Sequence, residues 1–93
     1  MFLNIIYKKK NKFVVREMGN ELILVPLAGN VAKMNEMFTM NETGKFIWEN
    51  IQENTTTDDI VNLLTQNFDI DETTARRDTE NFVERIFAVL LKN

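Results

Sequence analysis

Two β-rich runs, Phe13-Val14-Val15-Arg16-Glu17-Met18 and Glu21-Leu22-Ile23-Leu24-Val25, stand on either side of the dipeptide Gly19-Asn20. A two-residue loop with Gly in first position suits a type II′ turn, whose twist matches that of two paired strands, so the pattern predicts a β-hairpin. The loop length also sets the register. Phe13, Val15, Leu22 and Leu24 then share one face, and Val14, Arg16, Met18, Ile23 and Val25 share the other. Both faces are partly apolar, and a two-stranded ribbon is not stable by itself in water. One face is therefore expected to sit on helices and the other under further chain or a partner.

Pro26 removes a ladder donor and reads as the end of the second strand, with Leu27 to Lys33 as a loop. A third strand, about Glu36 to Met40, takes its apolar character from Met37, Phe38 and Met40 and runs directly into a helix start. Asn41 can accept from the first free N–H groups of that helix, about Glu42 to Gln52, whose apolar side is Phe46, Ile47, Trp48 and Ile51. Trp48 reads as core. Gly44 in the first turn is expected to weaken the helix slightly.

Thr56-x-x-Asp59 has the form of a capping box, and Thr57-Asp58-Asp59 brings two carboxylates to the positive end of a second helix whose Ile60, Leu63, Leu64 and Phe68 share one side. Asp71 is the expected cap of a third helix, about Glu72 to Leu91. Its stripe of Ala75, Thr79, Phe82, Val83, Ile86, Phe87, Val89 and Leu90 is wider than one core face needs. Three strands followed by three helices predict an α+β fold of the winged-helix kind, a three-stranded antiparallel sheet followed by a three-helix bundle. With no linker in view, residues 1–93 read as one domain, with 1–12 as an N-terminal extension.

The chain contains no Cys and no His, which removes the thiolate nucleophile, the disulfide and the commonest general base and metal ligand. Asp58, Asp59, Asp69 and Asp71 are explained as caps and dipole partners, since no loop has calcium-ligand spacing. An enzyme, a metal site and a cofactor are therefore not expected. The net charge of −3 argues against a protein that neutralises phosphates. A winged-helix DNA-binding regulator is the alternative reading, but the second helix has no Lys or Arg, and Arg76, Arg77 and Arg85 of the third are diluted by Glu80 and Glu84.

No stretch approaches the roughly 20 apolar residues of a membrane span, and the run Met1 to Tyr7 is too short for a signal peptide, with Lys8, Lys9, Lys10 and Lys12 on the wrong side of it. No membrane association and a cytoplasmic location are expected. The lysines read as a solvated tract. Phe2, Leu3, Ile5, Ile6 and Tyr7 are too apolar to float free. They are expected to pack on the domain or on a second copy of it; a strand from this segment could cover the outer face of Val14, Ile23 and Val25, or exchange between two chains, leaving monomer and homodimer both open.

The segments Phe13 to Pro26 and Met40-Asn41-Glu42-Thr43-Gly44-Lys45-Phe46-Ile47-Trp48-Glu49, then Asp59-Ile60-Val61, Phe68-Asp69-Ile70-Asp71, Ala75, Asp78 and Phe82-Val83, resemble the PqqD family and the RiPP recognition element built on that fold. The resemblance implies a noncatalytic chaperone. Such a protein binds the leader of a ribosomally made precursor peptide and presents it to a modifying enzyme, often a radical S-adenosylmethionine enzyme. It further implies that the leader adds to the third strand beside the third helix, in a groove formed by Glu36, Met37, Phe38, Thr39 and Met40 facing Arg76, Thr79, Glu80, Val83 and Phe87. Arg76 and Arg77 could meet acidic leader residues there, although pairing with Glu72 and Glu80 at helical spacing is the default. An N-terminal segment lying in that groove would compete with the leader. Apart from any family, an edge strand offers unpaired backbone groups to an extended peptide, and methionines such as Met34, Met37 and Met40 repack around different partners.

Overall fold

The computed structural model describes residues 2–92. β1 (Phe13–Met18) and β2 (Glu21–Ala28) form the expected hairpin, with Met18 opposite Glu21 and Phe13 opposite Pro26. Gly19 has φ +61° and Asn20 does not share that sign, which is what a type II′ turn needs. The pair that closes such a turn exchanges both of its backbone bonds, and bonding alternates from there. Glu21, Ile23 and Val25 thus direct their backbone groups to β1, and Leu22, Leu24 and Pro26 direct theirs to the neighbour on the other side.

β2 does not end at Pro26. It continues to Ala28 and turns at Gly29-Asn30, with Gly29 at φ +63°, into the short β3 (Val31–Ala32). The stretch read as a loop therefore contains a second tight Gly-Asn turn. Leu27 faces Ala32 whereas Leu24 faces Phe38, so three steps along β2 are matched by six on the returning chain. The surplus coils into a 3-10 turn, Met34–Glu36, before β4 (Phe38–Met40). Glu36 is accordingly in the turn and outside the strand, with Met37 as an extended link. This interruption is what tolerates Pro26 in mid-strand. Its carbonyl accepts from the Lys33 N–H at 2.8 Å, and the donor it lacks falls where the ladder is about to break.

The sheet is antiparallel, with β2 central, β1 on one side and β3 and β4 on the other. Among the described residues four α-helices accompany it: α1 (Asn4–Lys9), α2 (Glu42–Asn50), α3 (Thr57–Asn67) and α4 (Glu72–Lys92). The caps are those the sequence announces. The Asn41 Oδ1 accepts from the Gly44 N–H at 2.9 Å, Thr56 and Asp59 form the reciprocal box, and the Asp71 Oδ1 accepts from the Thr74 N–H at 2.8 Å. Gly44 has a second role, because a Cβ there would lie 3.0 Å from the Met40 Cβ. The inner sheet face, Phe13, Leu22, Leu24 and Met40, packs on Ile47, Trp48 and Ile51 of α2 and its C-terminal end, Ile60 and Leu64 of α3, and Ala75, Phe82 and Ile86 of α4. Trp48 is core, with Phe13 set edge-on to it at 5.5 Å. The outer face is covered only in part: Val25 is buried where β2 meets the Met34–Glu36 turn, and Val14 and Met18 are exposed.

The N-terminal segment packs on the domain, as expected, but in another form and at another place. Met1 lies outside the described residues, Phe2 makes one isolated antiparallel bridge with Thr56, and Asn4–Lys9 form a helix, not a strand; the segment docks at the α2–α3 joint, not on the outer sheet face. The Leu3 N–H donates to the Thr55 carbonyl at 2.8 Å, and Asn4 bonds both the backbone and the side chain of Asn54, which sits at φ +66°. Leu3 and Ile6 are each 1% exposed and Ile5 is 59% exposed. The Lys10 Nζ donates to the Trp48 carbonyl at 2.6 Å and lies 5.3 Å from the Trp48 ring centre, so an ammonium caps the negative end of α2. Burial holds the Lys10 pKa below its ordinary value, with Glu49 opposing.

Three outcomes follow for stability. Ile6→Ala should cost about 2–5 kcal/mol in urea unfolding, as a buried truncation does, while Ile5→Ala should stay within about 0.5 kcal/mol. Gly44→Ala should fail to deliver the gain of up to about 1 kcal/mol that Ala brings to a helix interior, and should lower the midpoint, because the added methyl meets a fixed Cβ and not a flexible side-chain end. The Asp71 carboxyl is held below the usual carboxylate range by the Thr74 backbone N–H and then the Thr74 hydroxyl. A depressed folded-state pKa means that the cap's contribution is complete above the unfolded-state pKa and disappears as pH falls through the folded one. Asp71→Asn, which keeps an acceptor, should flatten that part of the acid-unfolding profile.

Candidate functional site

The phase of the hairpin decides which backbone groups the sheet leaves open. Leu22 and Leu24 direct their groups away from β1, toward Met40 and Phe38, so Phe38 and Met40 bond to β2 and Thr39 between them points outward. Its carbonyl is reached from outside the sheet, by the Arg85 Nη2 of α4 at 3.2 Å. The same guanidinium lies 5.1 Å from the Phe38 ring centre, and Phe38 in turn meets Phe13 edge-on at 6.4 Å. β4 is thus a short edge strand with one outward-facing residue, and Arg85 sits on it.

Beyond that edge β4 and α4 part to leave a cleft of about 390 Å³. Thr39, Met40 and Asn41 form one wall, Asp78, Asn81, Phe82 and Arg85 of α4 form the other, and Thr43 and Gly44 of the first turn of α2 close one end, with Glu21 beside them. Its floor is apolar through Met40, Ile47 and Phe82, and its rim is polar. Charge is divided along it. Arg85 stands at the Phe38 end, and Glu21 and Asp78 stand toward the α2 end. A site with an open strand edge, an apolar floor and a polar rim suits an extended peptide, whose backbone pairs with the edge while alternate side chains enter the cleft.

Of the strand residues expected in the groove, Phe38, Thr39 and Met40 are at this edge, Met37 is the exposed link before it, and Glu36 lies in the preceding turn. The helix residues named with them are not brought to it. Thr79 is fully buried, its hydroxyl donating to the Ala75 carbonyl at 2.8 Å. Arg76 pairs with Asp58 at 3.1 Å and Glu72 at 3.3 Å, bonds that raise its pKa. Glu80 and Val83 border a smaller hollow with Thr57 at the start of α3, and Phe87 packs against the core. The α4 stripe has two margins. Residues 76, 80, 83 and 87 lie along the one toward α3, and 78, 82, 85 and 89 along the one toward β4, at the same i, i+4, i+7 spacing. Helical periodicity supplies both rows and does not say which faces the strand. Asp78, Asn81, Phe82 and Arg85 were therefore within reach of the pattern but not singled out by it.

No curated protein matches the chain. Among solved structures, TbiB1 in complex with the TbiA(beta) leader peptide is similar to it, with a TM-score of 0.68 and 21% identity over 87% of this chain and 88% of that one; the likeness is one of fold. The family model for coenzyme PQQ synthesis protein D matches residues 21–89, which takes in the strands that flank the cleft, the capped start of α2 and the margin of α4 that bears Arg85. The chain belongs to the PqqD family.

Proposed function

We propose that this chain is a noncatalytic peptide-binding protein that takes the leader segment of a ribosomally made precursor as an added strand on the outer edge of β4 and holds the remainder of the precursor for a modifying enzyme. The observation that carries this reading is the outward-facing Thr39 at the mouth of a cleft with an apolar floor, where backbone groups and side-chain space for an extended chain occur together. Family membership supports it, and so does the shared fold of a protein solved with a leader peptide. The peptide-contacting residues in this reading are Thr39 and Met40 on the strand side and Asp78, Asn81, Phe82 and Arg85 on the helix side. A radical S-adenosylmethionine enzyme in the cytoplasm is the partner class that the family implies. DNA reading gains no support, because the exposed side of α3 carries no Lys or Arg.

The test is amide hydrogen exchange in the presence of synthetic leader segments from any short precursor peptides encoded near this gene. Slowed exchange should concentrate at Thr39 and its neighbours and spare α3 and the α2–α3 joint on which α1 docks. Protection confined to α3 or to α1 would overturn the assignment of the site.

A further inference from the structure

Arg85 stands where an added strand has to bond. The Thr39 carbonyl is the outward acceptor of β4, and the place an incoming N–H would take is held by the Arg85 Nη2 at 3.2 Å. The guanidinium is otherwise supported by the face of Phe38. Among the described residues it forms no ion pair, unlike Arg76 on the far margin of the same helix, which has two. A guanidinium has five donors in a rigid fork that matches a carboxylate, and one resting on a single neutral carbonyl leaves most of that capacity unused.

We propose that Arg85 is an exchangeable cap: it covers the β4 edge in the free protein, yields the Thr39 carbonyl to the peptide N–H, and turns its guanidinium to an acidic side chain of the peptide at the level of Thr39. This rests on the strand-addition reading above and adds a selectivity rule to it. The peptide taken is one with Asp or Glu at that level, since Glu21 and Asp78 make the opposite end of the cleft repel a carboxylate. Exchange also explains how an open edge is kept from pairing with other chains until a suitable peptide arrives, a task natural sheets commonly give to a charged side chain.

A phage-displayed library of random 12-residue peptides, selected on the full chain, tests this. Hydrogen exchange with the selected peptides shows whether they protect Thr39, and their aligned sequences show whether one position is enriched in Asp or Glu. For an enriched peptide, Arg85→Gln should weaken binding about tenfold or more, and replacing the peptide's acid by its amide should do the same, with little further loss when the two changes are combined. For the amide peptide, Arg85→Gln should leave binding unchanged or tighten it, because the competing cap is gone. Arg85 is exposed, so the variant should fold, and its circular dichroism should match that of the parent. Peptides that protect Thr39 without acid enrichment, or additive losses in the cycle, would overturn the role of Arg85 and leave strand addition standing. A selection that yields no peptide protecting Thr39 would remove both.

Discussion

Met18 opposite Glu21, closed by a glycine at positive φ, sets the phase of the whole sheet. Because bonding alternates from that pair, Leu22 and Leu24 present their side chains to the core and their backbone groups to β4, and Thr39 is left outward. A turn of three residues would have moved every side chain of one strand to the opposite face. The outward position of Thr39 is thus a consequence, some twenty residues downstream, of a dipeptide that is not itself part of the cleft lining. Lys45 of α2 helps hold that dipeptide, its Nζ lying 3.4 Å from the Gly19 carbonyl and 3.8 Å from Glu17.

A row of rings joins the parts that the backbone keeps separate. Trp48 of α2, Phe13 at the start of β1 and Phe38 at the start of β4 meet edge to face, with Lys10 over the first ring and Arg85 over the last. Such pairs add about 0.5–1.5 kcal/mol each beyond the apolar area they bury. Their greater effect is geometric. The docked N-terminal helix, the inner sheet face and the exposed edge are fixed to one another through side chains whose rotamers are constrained on both sides.

What could be read from the chain was local. Gly19-Asn20, Asn41, the Thr56 and Asp59 box and Asp71 each satisfy a backbone group within a few residues, and each does in the fold what its position implies. What is not legible locally depends on partners distant along the chain. Gly29-Asn30 is the same dipeptide as the first turn, but Pro26 argued for an ending, and only the three-residue surplus of the returning chain shows why a proline is admitted there. The N-terminal apolar run has no strong periodicity over six residues, and its helical form depends on Asn54 and Thr55, fifty positions away. Along α4 the two margins are equivalent in sequence. The position of α3 against one of them, with Arg76 bonded to Asp58, is what leaves the other to the cleft.

The brevity of β4 has a consequence for any chain that pairs with it. One outward residue supplies two backbone hydrogen bonds, each worth about 1 kcal/mol net, whereas a micromolar complex needs about 8 kcal/mol. Most of the free energy must then come from side chains entering the cleft between Met40 and Phe82. An edge of six or seven residues would hold any extended chain by its backbone. An edge of one residue would instead leave the choice among chains to their side chains.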